Sequence, residues 1–175
     1  MDVVVRSGRA EDVPALPEVF HAAVQAAEAY SEAERAAWSP AVPTVEAWTR
    51  RLDGLDVVVA EVGGEVAGFM CLKDDLLDLA YVHPTFARQG VGHALYAVVE
   101  GRARSVGVTR LRTEASLVAE PFFLRHGWRV VRRQEVVRNG VALRNAVMEK
   151  VLPVPDWQEA AAAPISEASN ARAET

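Results

Sequence analysis

Residues able to do chemistry cluster in two stretches of the chain. In LLDLAYV (76–82) an acid, Asp78, and a phenol, Tyr81, interrupt an apolar run, and a little further on Arg88, Gln89, Gly90, Val91, Gly92 and His93 open an apolar helical pattern. A strand followed by a tight glycine turn and a helix presents unpaired backbone N–H groups to an anion. The first turn of a helix has no internal acceptors and carries partial positive charge. Gly90 and Gly92 permit backbone approach, and Arg88 adds a fixed cation. A diphosphate fits this arrangement; a glycine turn that merely enters a helix satisfies the same dipeptide, so its neighbours decide. Two nucleotide folds are disfavoured. The dinucleotide fingerprint needs a third glycine where Leu95 stands, and the phosphate loop needs Gly-Lys-Ser/Thr, which is absent.

The carboxylates have their own alternatives. Desolvation inside an apolar strand raises the pKa of an acid such as Asp78 toward that of a general base; pairing with an arginine or with a backbone N–H is the competing use. Glu114, near the end of a later strand, is the second carboxylate candidate. Strict alternation along 76–82 puts Tyr81 on the face opposite Asp78, so only a bulge lets both reach one site.

These groups must be held by a chain of 175 residues, the size of one α/β domain. Half the residues are apolar and a quarter charged, as in a globular protein. A net charge of -5 argues against nucleic-acid binding. Cys71 is the single cysteine and the four histidines lie far apart, so neither a disulfide framework nor a metal site is expected. With no basic, apolar leader and no apolar run of about 20 residues, a cytoplasmic protein without a membrane partner is expected.

Periodicity supplies the elements. VVVR reads as a strand; the helical pattern after it meets Pro14 and Pro17, which predicts a late start or a kink, with Glu11 and Asp12 at its positive end. SEAERAAWSP reads as a second helix, and TVEAWTRRL as a further turn or two. VVVAEV and EVAGFMCLK form a hairpin across Gly63-Gly64, and LLDLAYV follows as a strand of the kind buried on both faces. Next come a helix from Gly90, the strand TRLRTEAS, a short helix closed by Gly127, and two strands joined by Asn139-Gly140, a preferred hairpin pair. The order is βααβββαβαββ over residues 1–152. Residues 153–175 read as a disordered tail, with a short helix from Asp156 that docks Trp157 as the alternative.

LDLAYVHPTFARQGVGHALYAVVE resembles the acetyl-CoA motif of the GNAT N-acetyltransferases, and TEASLVAEPFFLRHGWRVV resembles the motif that follows it. AYSEAERAAWSP and RNGVALRNAVMEKVL are similar to a bacterial branch of small members, and the resemblance spans residues 3–152. It implies an α/β (α+β) fold with a mixed, mostly antiparallel central sheet and about four flanking helices. It also implies acetyl-CoA as co-substrate, no metal, and direct acetyl transfer to a primary amine of a small molecule or peptide, by a monomer or homodimer.

By position, backbone groups of Ala80, Tyr81 and Val82 meet the acetyl-pantetheine arm and a backbone N–H of 79–82 faces the oxyanion. Residues Arg88 to His93 wrap the diphosphate, and Ser116 stands where relatives carry a pantetheine-binding Asn. Tyr30, Trp38 and the last hairpin shape the acceptor pocket, where Asp74, Asp75 and Asp78 attract a cation. Two departures stand out. Ala87 replaces the motif's first Arg or Gln, and Phe123 replaces the tyrosine that protonates the leaving thiolate. Tyr81 is then a candidate substitute acid, with a half-buried strand tyrosine satisfied by backbone as its alternative use, and a non-catalytic acyl-CoA-binding or regulatory domain is the rival reading.

Overall fold

The computed structural model describes residues 1–154. Seven strands form one sheet in the order β1-β2-β3-β4-β5-β7-β6. They are β1 (Val3–Ser7), β2 (Asp56–Val62), β3 (Glu65–Lys73), β4 (Leu76–Val82), β5 (Arg110–Ser116), β6 (Arg129–Arg138) and β7 (Val141–Val151). Every neighbouring pair is antiparallel except β4 and β5. Five α-helices flank the sheet among the described residues: α1 (Leu16–Gln25), α2 (Glu32–Trp38), α3 (Val45–Arg51), α4 (Val91–Ser105) and α5 (Glu120–Arg125). The expected order holds with one addition, because TVEAWTRRL makes a full helix, α3, capped by Thr44 accepting from the Ala47 N–H.

The prolines act as expected: a single 3-10 turn occupies Ala10–Asp12 and α1 begins only at Leu16, with Pro17 in its first turn. Asp12 is used differently from expectation. It is buried and pairs through both oxygens with Arg6 of β1, so it anchors the 3-10 turn to the sheet edge rather than complementing α1. Arg6 holds the Asp12 carboxyl below the usual carboxylate range by that hydrogen bonding, against its burial. The hypothesised tail and its alternative helix from Asp156 lie outside the described residues, apart from Pro153 and Val154.

Alternating strand residues divide the core into layers. Val58, Ala60, Met70 and Leu77 face α4 and α5 and pack with Leu95, Val99 and Phe123. Val59, Phe69, Cys71 and Leu79 face the other way, onto Leu16, Val19 and Trp48 of α1 and α3. Cys71 is therefore a core residue, its thiol pushed up to about 12 by burial. Beneath the first turn of α4 lies Gly68, where a Cβ would come within 2.8 Å of the Tyr81 carbonyl and 3.2 Å of the Val91 side chain. Only glycine lets α4 seat this close to the sheet.

The sheet is discontinuous at its centre. The parallel pairing of β4 with β5 consists of Leu76 with Arg112 alone, after which the strands diverge. Thr113 Oγ1 donates to the Leu77 carbonyl at 2.7 Å, and nothing further toward Val82 closes the ladder. Tyr30 braces the far side of the opening: its buried hydroxyl donates to the Arg144 carbonyl at 2.6 Å and accepts from the Leu117 N–H at 3.0 Å.

Candidate active site

The opening between β4 and β5 holds two cavities that meet. One, of about 790 Å³, runs along the face that carries the first turn of α4 and is walled by Val82, Phe86, Gly90, Gly92, Phe122 and His126 among others. The other, of about 520 Å³, lies toward α2 and α3 and is bounded by Arg51, Asp78, Glu114 and Arg138. Trp38, Ala80, Tyr81, Ser116, Ala119 and Phe123 line both. The sheet is thus perforated where its ladder stops.

Backbone groups are left over at this point. His83 donates to the Ala67 carbonyl at 2.8 Å, and the register pairs Tyr81 with Phe69 and Leu79 with Cys71. Antiparallel alternation then directs the main-chain groups of residues 79, 81 and 83 toward β3, and those of Ala80 and Val82 into the opening. The expected backbone set of Ala80, Tyr81 and Val82 therefore resolves into two residues that face the cleft and a third that offers its side chain.

The glycine stretch supplies a second set. Among the described residues none of the backbone N–H groups of residues 88–93 makes a hydrogen bond to protein; the first helical bond is Ala94 N–H to the Gly90 carbonyl at 3.0 Å. Gly90 has φ +80, with nothing within 4 Å of where a Cβ would sit, and Arg88 also takes a positive φ of 60. Val91 plugs the core at 1% exposure and so fixes the loop. The Gln89 amide donates to the Thr85 carbonyl at 3.2 Å, and Arg88 is exposed. A row of free amides at the head of a 15-residue helix beside an arginine suits a diphosphate. Coenzyme A therefore fits the residues present: diphosphate at 88–93, extended arm beside Ala80 and Val82.

His93 belongs to a feature that spacing alone hid. Its Nδ1 lies 3.0 Å from His126 Nε2, while His126 Nδ1 lies 2.8 Å from the Phe122 carbonyl. The bond to a carbonyl requires the proton on His126 Nδ1, so in the neutral pair His93 Nδ1 donates to His126. Residues 33 apart are involved, which no local pattern signals. Ser116 Oγ accepts from the Ala119 N–H at 3.1 Å, the helix-entry role left open by the sequence, and its hydroxyl is engaged before any ligand arrives.

The structure decides between the two uses left open for Asp78 and corrects the expectations of facing, burial and charge around it. Asp78 is not a desolvated, unpaired acid. The β3–β4 register steps from Leu77 opposite Leu72 to Leu79 opposite Cys71, so Asp78 is the extra residue of a bulge, and it pairs with Arg51 Nη1 at 2.7 Å. The bulge also overturns the facing rule, since Arg51 belongs to α3 and Tyr81 packs on Phe69 and Phe20 of that same layer. Nor does β4 lie buried on both faces: Asp78, Ala80, Tyr81 and Val82 are half-buried because they border the opening. The acids expected to draw a cation are engaged or remote: Asp75 is bound to Arg112 at 3.0 Å, Asp78 to Arg51, and Asp74 is a turn residue with φ 53 outside the cavity wall.

Tyr81 stands at the junction of the two cavities. Its ring is fixed by Phe20 at 5.0 Å, Phe69 at 5.8 Å and Trp38 at 6.4 Å, and its hydroxyl makes no hydrogen bond among the described residues. Burial pushes its pKa well above the ordinary phenol value, so it holds its proton. Phe123 is 1% exposed against Trp128 at 4.9 Å and offers only a ring edge to the junction. Glu114 lines the smaller cavity and accepts from the Gln134 amide at 3.2 Å. Trp38 is half-buried on both cavities. Tyr30 lines the wall with its ring alone, because Arg144 and Leu117 occupy its hydroxyl.

Comparisons with known proteins agree with this geometry. Residues 26–152 match the family model described as acetyltransferase (GNAT) domain. The chain is 28% identical over 149 residues to YafP of Escherichia coli (strain K12), an uncharacterized N-acetyltransferase, covering 84% of this chain and 95% of that one. Among solved structures, a GCN5-related N-acetyltransferase from Rhodopseudomonas palustris is 32% identical with a TM-score of 0.81, over 87% of this chain and 97% of that chain. YncA from Salmonella typhimurium, in a structure with its cofactor acetyl-CoA, is 23% identical with a TM-score of 0.66, over 87% of this chain and 95% of that one. A perforated sheet, a row of free amides at the head of α4 and a match across most of the domain lead to one statement: this chain belongs to the GNAT acetyltransferase family.

Proposed function

We propose that the protein is an acetyl-CoA-dependent N-acetyltransferase that passes the acetyl group directly to the primary amine of a small molecule or peptide. One observation carries the reading: the two cavities share a wall at Ala80 and Tyr81, so a thioester entering from the α4 side and an amine entering from the α2 side meet there. Acetyl-CoA, when bound, supplies an activated acyl group; the chain supplies position and protons.

The free amides of residues 88–93, with Arg88, hold the diphosphate. The cleft-facing main chain of Ala80 and Val82 takes the extended arm as an added strand would, and leaves an N–H for charge developing on the carbonyl oxygen. Tyr81 keeps its proton at neutral pH and donates it to the departing thiolate. That is the task lost with Phe123. Glu114 is the carboxylate on the acceptor side without a guanidinium partner among the described residues, and it accepts the amine's proton through water. Asp78, bound to Arg51, fixes α3 against the bulge rather than acting as base.

Purified protein tests this with acetyl-CoA and an amine panel, free thiol being the readout. A rise in melting temperature with acetyl-CoA, followed by amine-dependent thiol release, is the expected result. The rival reading, a non-catalytic acyl-CoA-binding domain, is favoured by Phe123 and Ala87. Its signature is stabilisation by acetyl-CoA with no thiol released for any amine.

A further inference from the structure

The acceptor-side cavity has a charge pattern opposite to that of the chain. The protein carries a net charge of -5, yet the residues that line this space include Arg51, Arg112, Arg132, Arg138 and Arg144 against only Asp78 and Glu114. Two of these arginines are neutralised: Arg51 by Asp78 at 2.7 Å and Arg112 by Asp75 at 3.0 Å. Arg132 makes only a 3.4 Å hydrogen bond to the Gln134 side chain, and neither Arg138 nor Arg144 makes an ion pair or a side-chain hydrogen bond among the described residues.

The backbone at Arg138 is firmly placed, and the residue itself is exposed. Strand alternation puts it on the face of β6 that carries Val136, which packs with Leu143 onto Tyr30 and Trp38. The next residue, Asn139, donates from Nδ2 to the Ala37 carbonyl at 2.7 Å, which pins the two-residue hairpin turn to the end of α2 beside Trp38. Asn139 and Gly140 both have positive φ, as a tight turn of this length demands. Arg138 and Tyr81 line the same cavity.

We infer that the acceptor is a small amine that also bears an anionic oxygen group, a carboxylate or a phosphonate, bound by Arg138 while its amine lies toward Tyr81 and Glu114. This rests on the acetyltransferase reading and narrows it. A guanidinium binds such a group through two parallel hydrogen bonds, and a cavity of about 520 Å³ suits a small molecule. A cationic acceptor such as a polyamine is unsuited to a wall whose unpaired side chains are mainly positive.

The test uses matched pairs: α-amino acids with their methyl esters and amides, aminoalkylphosphonates with their diesters, and spermidine as a cationic control, at saturating acetyl-CoA with thiol release as readout. The anionic member of each pair is expected to have a kcat/KM about 10- to 100-fold higher, as loss of one charged hydrogen-bonding partner implies. Arg138→Gln is expected to erase that difference by raising KM for the anionic amine, with the KM for acetyl-CoA and the melting temperature unchanged. Preference for the carboxylate or the phosphonate series identifies the anion. Equal rates within pairs, better turnover of spermidine, or an indifferent Arg138→Gln would overturn the inference and leave the acetyltransferase reading intact. Should no amine release thiol, that broader reading fails, and binding still decides this one. N-acetyl amino acids and their methyl esters, titrated with coenzyme A present and followed by tryptophan fluorescence, must differ in affinity, and equal affinity refutes the inference.

Discussion

Replacing Tyr81 by phenylalanine removes one oxygen at the junction of the two cavities. The ring's packing on Phe20 and Phe69 survives, and because the hydroxyl has no partner among the described residues, no buried donor or acceptor is orphaned. Stability should change by less than about 0.5 kcal/mol, which moves the melting temperature of a chain this size by no more than about 2 °C. Turnover should respond far more. General acids contribute roughly 10²- to 10⁴-fold, but a thiol with pKa near ~8.5 departs tolerably as its anion, which places the loss near the lower end, about 10²-fold in kcat. The KM for acetyl-CoA should not move, since the diphosphate amides and the β4 main chain are untouched. Thiol-release kinetics and a thermal melt on the same preparation measure both quantities. A kcat within threefold of the parent would remove Tyr81 from proton transfer. A melting temperature lowered by more than about 5 °C would mean that the hydroxyl is structural after all.

Three further changes probe the cradle, the brace and the charge network. Gly90→Ala forces a Cβ into a left-handed conformation at φ +80, costing about 1–2 kcal/mol; with open space around the Cβ, the larger effect should be a tenfold or greater loss of acetyl-CoA affinity by calorimetry, of the order expected when charged hydrogen bonds are obstructed. Tyr30→Phe removes both hydrogen bonds across the far side of the opening and should cost about 1–3 kcal/mol in urea unfolding, with the denaturant slope unchanged. Glu100 is opposed by burial, yet hydrogen bonds from Tyr96, Lys150 and Arg104 outweigh it and bring its pKa down to about 2. Because the folded value lies below the unfolded one, its contribution is present above pH 4.5 and lost as the pH falls toward 2. Glu100→Gln should therefore melt below the parent at pH 7, with the gap closing between pH 4.5 and 2.

Much of the fold was legible because local rules govern it. The prolines before α1, the glycine hairpin at 63–64 and the Asn-Gly turn at 139–140 each act over a few residues, and each element lies where those signals put it. The glycine turn that opens α4 was equally local. The acceptor side was not, because its charges are decided by partners distant in sequence: Arg51 with Asp78, Arg112 with Asp75, Asn139 with Ala37. Read alone, three aspartates suggested a site for a cation; read with their arginines, they leave a site with positive charge to spare. Likewise LLDLAYV carries the composition of a doubly buried strand, and only the register reveals the bulge at Asp78 that turns Tyr81 and the acid to one side.

The position of the site follows from hydrogen-bond accounting rather than from any single side chain. A central strand satisfies its main chain on both edges, and β4 does so only as far as Leu76, where Arg112 answers it. Beyond that point β3 takes the groups of residues 79, 81 and 83, while those of Ala80 and Val82 face a space no strand fills. Half-buried amides and carbonyls without partners favour an occupant that is extended, carries amides of its own and is narrow enough to lie between two strands, as the pantetheine arm of coenzyme A is. In the proposed complex its diphosphate end meets six further amides at 88–93, unpaired among the described residues, one loop away on the same face. Tyr81, whose backbone is satisfied by β3 while its hydroxyl has no partner among the described residues, stands in that proposed complex at the end of the arm with a proton to give.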